Sequence, residues 1–222
     1  MQTAIVTGAT GLCGKALVQL LLEDNTFNKV RTITRKRLPI DHPKLEQVLV
    51  ADFEQEEPLK PALQGDALFC CIGTTIKKAG TQANFVKVDL EIPVTVANIA
   101  HANGVPQMLV ISAVGADAAA RNFYLRTKGS MENAVKQVGF AGLHIFRPSL
   151  INGQRDERRF TEKLAMNLMH VLNVLLVGNL RKYRSINATT IVKAMLKVYQ
   201  AHQDGVHIYE SDEIEKIVSA AS

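Results

Sequence analysis

The sequence predicts an α/β fold in which a doubly wound parallel sheet carries helices on both faces. Short apolar runs alternate with amphipathic helical stretches along most of the chain. Most of these runs end in glycine, proline or small polar residues. The first of them, Ala4-Ile5-Val6, leads directly into the turn Gly8-Ala9-Thr10-Gly11-Leu12-Cys13-Gly14 and then a helix. Strand–helix alternation of this kind produces parallel strands joined by right-handed crossovers. A chain of 222 residues suits one domain, 1–222, able to bury its core without disulfides or metals.

The elements follow in order. Leu12 to Glu23 places apolar residues at 12, 16, 17, 20 and 21, a stripe facing a sheet. Val30–Thr34 reads as the second strand and is followed by the basic run Arg35-Lys36-Arg37. Residues 47–51 read as the third strand, ending at Asp52-Phe53, and Pro58 and Pro61 bracket a short helix. Ala67–Ile72 is a fourth strand that runs into Gly73-Thr74-Thr75, and Lys77-Lys78-Ala79-Gly80 reads as an exposed basic loop. Thr81–Asn103 is expected to be one long helix, bent at Pro93. Met108–Ser112 is the fifth strand, Asn122–Gly139 a helix, and Gly142–Arg147 a sixth strand stopped by Pro148.

Beyond Pro148 the pattern changes. Ser149–Arg159 is polar and carries Arg155, Arg158 and Arg159, whereas 164–177 is strongly apolar. That stretch is too short and too interrupted by Asn167, His170 and Asn173 to cross a bilayer. The expectation is a small substrate-side extension over 149–187 that closes a pocket, with contact to a protein partner, a second copy or a membrane surface as the alternative. Ala188–Ala201 is a further helix, Val206–Tyr209 a short strand, and Ser211–Ser219 a terminal helix capped by Ser211.

Composition excludes several functions. Hydrophobic residues make up 47% and charged residues 21%, which rules out a disordered chain. The three cysteines, Cys13, Cys70 and Cys71, form no spaced framework, which points to a reducing compartment. The opening strand leaves no room for a signal peptide, so a cytoplasmic location is expected. The six histidines are scattered without ligand spacing, so no metal is expected. The net charge of +5 is spread along the chain, which argues against nucleic acid.

The glycine turn carries the first chemistry. A helix N-terminus presents unpaired N–H groups and a partial positive charge, and so attracts phosphate. Gly8, Gly11 and Gly14 serve the tight turn, the approach of a pyrophosphate and the packing of helix on strand. Gly14-Lys15 does not end a Walker motif, because Ala16 stands where the Ser/Thr magnesium ligand belongs. Arg35 lies 21 residues after Gly14, where folds that choose NAD carry a carboxylate. A guanidinium there pairs instead with a 2′-phosphate, so NADP(H) is expected over NAD(H).

The second chemistry sits on one helix face. Tyr124 and Lys128 stand four apart, and Ser112 ends the preceding strand at the edge where ligands bind in open parallel sheets. An ammonium beside a phenol favours the phenolate and makes Tyr124 a usable acid–base group, with Ser112 orienting a substrate carbonyl or hydroxyl.

These residues, together with Arg147-Pro148, resemble the short-chain dehydrogenase/reductase superfamily in its extended and atypical branch. More narrowly, Asp52-Phe53-Glu54, Cys70-Cys71-Ile72-Gly73-Thr74-Thr75, Lys78-Ala79-Gly80, Phe85-Val86-Lys87-Val88-Asp89 and Phe146-Arg147-Pro148 resemble the Tat-interacting-protein group. The resemblance implies a Rossmann-like NADP-binding domain. Thr10 and Arg35 would hold the 2′-phosphate, and Gly8, Gly11, Leu12 and Gly14 the pyrophosphate. Asp52 and Phe53 would flank adenine, with Cys71, Ile72 and Gly73 lining the nucleotide. Tyr124 and Lys128 would hold the nicotinamide ribose, with Pro148, Ser149 and Leu150 near the carboxamide. Asp89 departs from the superfamily, which usually has Asn there to complete a proton relay. Two functions follow as expectations: NADPH-dependent oxidation or reduction of a small carbonyl or alcohol, or a regulatory protein that binds NADPH and a protein partner with little turnover.

Overall fold

The computed structural model describes residues 2–152 and 178–220. In chain order the strands are β1 (Thr3–Thr7), β2 (Lys29–Thr34), β3 (Leu45–Leu49), β4 (Ala67–Cys70), β5 (Gln107–Ile111) and β6 (Gly142–Arg147). Two short strands, β7 (Ile151–Asn152) and β8 (Ile186–Asn187), pair with each other, and β9 (Gly205–Glu210) follows. The main sheet is parallel throughout, as the sequence predicts, and its seven strands run in the order β3-β2-β1-β4-β5-β6-β9. Strand order reverses between β1 and β4, and an open α/β sheet opens a crevice at the carboxyl ends of such a pair.

Central strands buried on both faces must be apolar throughout, and β1, β4 and β5 are buried along nearly their whole length. Helices α1 (Leu12–Glu23) and α2 (Glu56–Ala62) come first, and then two short pieces, α3 (Ile76–Ala79) and α4 (Gln82–Val86). After them run α5 (Ile92–Ala102), α6 (Phe123–Val138), α7 (Ala188–Gln200) and α8 (Ser211–Ser219). One core layer packs α1 and α7 on the sheet through Leu17, Leu21, Phe69 and Met195. The other packs α2, α5 and α6 through Leu59, Val96, Met108 and Val135.

Four expectations change. The third strand begins at Leu45 rather than 47, because Leu45 pairs with Val30 and fixes the register from there. The expected helix over Thr81–Asn103 is interrupted by a π turn at Lys87–Glu91, where the Ile92 N–H donates to the Lys87 carbonyl. Pro93 has no N–H to offer the Asp89 carbonyl, and a wide turn accommodates that loss. The basic loop at Lys77–Gly80 is instead a single helical turn, α3, capped by the Thr75 hydroxyl and ended by Gly80 at φ +77°. Ser211 does not cap α8. Glu210 is the cap, in a reciprocal capping box with Glu213, and the Ser211 hydroxyl accepts from the Ser149 N–H at 2.9 Å.

His144 on β6 is fully buried, stacks on His207 and meets the Tyr209 hydroxyl at 3.2 Å. Burial, reinforced by His207, lowers its pKa to about 4. The folded protein therefore binds fewer protons than the unfolded chain between pH 6.5 and 4. Stability is expected to be fully present above pH 6.5 and to fall as the pH drops toward 4. In urea unfolding at stepped pH, His144→Gln should flatten that slope.

Candidate functional site

The turn between β1 and α1 takes its shape from two glycines. Gly8 holds φ +74°, and a Cβ there would lie 2.4 Å from the Cys71 carbonyl carbon and oxygen. A Cβ on Gly14 would lie 2.2 Å from the Gly8 carbonyl oxygen. Only bare backbone fits at either place, so α1 sits hard against the turn and β1 against the end of β4. Gly11 caps α1 without any side-chain hydrogen bond, and no acidic residue stands in its first turn. The helix therefore turns its positive end to the crevice.

A cavity of about 680 Å³ opens from this turn across the carboxyl ends of the strands. Thr10, Gly11 and Leu12 line it from the turn, and Cys71, Ile72 and Gly73 from the end of β4. Ser112, Tyr124 and Lys128 line it from β5 and α6, and Pro148, Ser149 and Leu150 close the third side. The Val114 N–H donates to the Pro148 carbonyl at 3.0 Å, and the Ile186 N–H to the Leu150 carbonyl, so this wall is tied to the sheet. Gly8 and Gly14 shape the turn without lining the cavity. Arg35 is exposed just past the end of β2, and Asp52 and Phe53 lie beyond the end of β3. The Phe53 ring is 8% exposed and packs into the core. Arg155, Arg158, Arg159 and the apolar stretch 164–177 fall outside the described residues.

Sequence reasoning missed part of the wall. Lys15, Cys13, Thr75, Ile76 and Lys78 also line the cavity. Lys15 follows the last glycine directly and was set aside with the Walker motif, and the helical turn α3 brings Lys78 over the opening.

Lys128 is the most constrained cation in the cavity. Its ammonium lies 2.7 Å from Asp89 Oδ1, and the two side chains are 5% and 1% exposed. Asp89 Oδ2 accepts from the Thr74 N–H at 2.8 Å. The π turn thus delivers a carboxylate where the superfamily has an amide. Beside the pair stands Tyr124, whose ring packs against Phe85 of α4 with centroids 5.7 Å apart. Burial raises the Tyr124 phenol above its ordinary value; Lys128 pulls it down and Asp89 pushes it up. The expected lowering by Lys128 is therefore overridden, and Tyr124 is a protonated donor at neutral pH.

Ser112 is 4% exposed, and its hydroxyl donates to Glu132 Oε1 at 2.5 Å. Arg147 holds the same carboxylate with two prongs, Nε at 2.9 Å and Nη2 at 2.6 Å. The Cys71 thiol is pushed well above its ordinary value by burial, with Cys13 and Cys70 adding to the effect, which favours the thiol over the thiolate. None of the three cysteines is in a disulfide. Among the described residues no cluster has the makings of a metal site, and no helix is long and apolar enough to cross a membrane.

Comparison with known proteins settles the lineage. Residues 8–167 match the family described as NAD(P)H-binding. The chain belongs to that family, within the atypical short-chain dehydrogenase/reductases. It is 34% identical to Protein HTATIP2 of Rattus norvegicus over 198 residues, covering 88% of this chain and 80% of that one. It is 33% identical to Protein FMP52, mitochondrial, of Eremothecium gossypii over 153 residues, covering 69% and 68%. A short-chain dehydrogenase/reductase superfamily protein from Agrobacterium tumefaciens with bound NAD superposes with a TM-score of 0.70. That match has 17% identity and covers 95% of this chain and 78% of that one. Uronate dehydrogenase from the same organism gives a TM-score of 0.69 at 17% identity, covering 94% and 75%. Family members of this fold bind a nicotinamide dinucleotide, and the cradle fits one: Gly8 and Gly14 leave no room for a Cβ, and the start of α1 has neither a side-chain cap nor an acidic residue.

Proposed function

We propose that the protein is an NADPH-dependent oxidoreductase acting on a small carbonyl or alcohol. The observation that carries this reading is the convergence of the glycine turn, Tyr124, Lys128 and Ser112 on one cavity. Bound across the strand ends, the dinucleotide would supply or accept the hydride. The N-terminal N–H groups of α1, with Lys15 at the cavity wall, hold the pyrophosphate. Arg35 and Thr10 hold the 2′-phosphate, and Asp52 and Phe53 border the adenine. Tyr124 and Lys128 reach the nicotinamide ribose, and Pro148 to Leu150 the carboxamide. In reduction, the Tyr124 hydroxyl gives its proton to the substrate oxygen, and solvent restores it. A phenol held protonated is suited to that direction.

One observation favours the runner-up, an NADPH-binding regulatory protein with little turnover. Lys128 already has its charge matched by Asp89, and a side chain so paired does less to activate Tyr124. The two readings separate in a carbonyl-library screen that follows NADPH absorbance. The oxidoreductase reading requires at least one substrate consumed at a rate proportional to protein; absence of turnover throughout, with NADPH bound, favours the regulatory reading. Cofactor choice is tested separately. NADPH is expected to bind at least about tenfold more tightly than NADH, about 1.4 kcal/mol. Arg35→Glu should abolish that difference in a calorimetric titration, and equal binding of both nucleotides by the unaltered protein contradicts the assignment. Three cysteines without a disulfide accord with a reducing compartment, for which we propose the cytoplasm, although the FMP52 relatives are mitochondrial by name.

A further inference from the structure

Glu132 does not line the cavity, yet it is 1% exposed and bonded to Ser112, which does. It stands on the Tyr124–Lys128 face of α6, one turn further along. Arg147 grips both of its oxygens in a planar fork, a geometry that matches an ionised carboxylate and leaves it acceptor-only. Against that carboxylate, the Ser112 hydroxyl can only donate. A hydroxyl has one proton and two lone pairs, so the side of Ser112 that faces the cavity has acceptor capacity alone. Ser112 has little freedom to turn away. Its own N–H donates to the Phe146 carbonyl at 2.7 Å, which locks the backbone of β5 to β6, and the side chain is nearly enclosed.

Tyr124 has the opposite polarity, a phenol with a proton to give. At Tyr124 and Ser112 the cavity therefore offers a ligand one donor and one acceptor, carried on neighbouring elements. A plain ketone satisfies only the donor and gives the Ser112 lone pair no partner, which costs binding relative to a ligand that does. A carbonyl compound that also carries a hydroxyl or N–H donor has a group for each.

We propose that Glu132 is a positioning residue that takes the Ser112 proton and thereby selects substrates bearing a hydrogen-bond donor beside the reacting carbonyl, with α-hydroxy carbonyl compounds as the simplest class. Arg147 belongs to the same device, because it holds the carboxylate that holds the serine. The substrate class rests on the oxidoreductase reading, whereas the Ser112–Glu132 arrangement does not.

Two experiments on the full chain test the two halves separately. Proton NMR of the ligand-free protein should show a slowly exchanging downfield hydroxyl resonance that disappears in Ser112→Ala and moves upfield in Glu132→Gln. Ser112→Ala should also lower the urea midpoint, because it strips a donor from a buried carboxylate; a serine that served only a ligand would leave the midpoint unchanged or raise it. No resonance lost in Ser112→Ala, with an unchanged midpoint, overturns the positioning role even if Glu132→Gln fails to fold. The second experiment compares NADPH oxidation with acetoin against 2-butanone, and with 2-hydroxycyclohexanone against cyclohexanone. The hydroxy ketone should win in kcat/KM by about tenfold, the effect of one hydrogen bond. The preference should collapse in Ser112→Ala and move toward the plain ketone in Glu132→Gln. Equal rates on both members of a pair overturn the substrate class. Absence of turnover on every pair counts against the oxidoreductase reading and the class resting on it, and the resonance then decides the positioning role by itself.

Discussion

Asp89→Ala is expected to destabilise the folded protein by about 3–5 kcal/mol in urea unfolding. Removing one partner of a buried ion pair leaves the other charge uncompensated, and that penalty greatly exceeds the net contribution of an intact pair. The stranded group is Lys128, 5% exposed in the cavity wall. Asp89→Asn separates structure from chemistry. Its carbonyl oxygen can still accept from the Thr74 N–H, so the turn after β4 keeps its shape, but no negative charge remains to occupy Lys128. The ammonium then acts on Tyr124 alone, and the phenol should ionise at lower pH. Tyrosinate absorbance shows this directly, with Tyr124→Phe subtracted to remove the other three tyrosines. An Asn variant whose Tyr124 titrates as in the unaltered protein would show that Asp89 has no hold on the acid–base group.

Tyr124→Phe carries the second large effect. Once a substrate is in hand, turnover should fall by about 10²–10⁴, the usual worth of a positioned proton donor. NADPH affinity should fall by no more than about tenfold, since only one hydrogen bond to the ribose is lost. The ring itself remains, and Phe keeps the packing on Phe85 that holds the start of α6. A variant that retains full turnover would remove Tyr124 from the chemistry and reduce it to part of the cofactor's wall.

The fold was legible because its signals are local. The apolar runs at β1, β4 and β5 read as strands because buried parallel strands tolerate little else. Gly8 and Gly14 stand where a Cβ would strike backbone, a requirement that the spacing of the turn already implied. The Tyr124–Lys128 pair was visible as helical spacing. The misreadings came where tertiary pairing decides. The start of β3 is fixed by Val30 across the sheet, and the cap of α8 by Glu213 reaching back to Glu210. Pro93 was noticed as a bend, but not that it would open a π turn and send Asp89 onto Lys128. Two other features were out of reach for a different reason. Ser112 was given the task of meeting a substrate because nothing local says where its proton goes. Glu132 had a faint signal, since 124, 128 and 132 step along one helix face, but its partner Arg147 lies on another strand.

The central claim is that a phosphorylated nicotinamide dinucleotide lies across the carboxyl ends of the strands with its nicotinamide beside Tyr124. The most direct test is a crystal structure of the full chain with NADPH. The account predicts the pyrophosphate on the N-terminal N–H groups of α1, the 2′-phosphate within reach of Arg35, and the nicotinamide ribose hydroxyls hydrogen-bonded to Tyr124 and Lys128. A nucleotide seated elsewhere, or one whose nicotinamide points away from Tyr124 and Ser112, would contradict it.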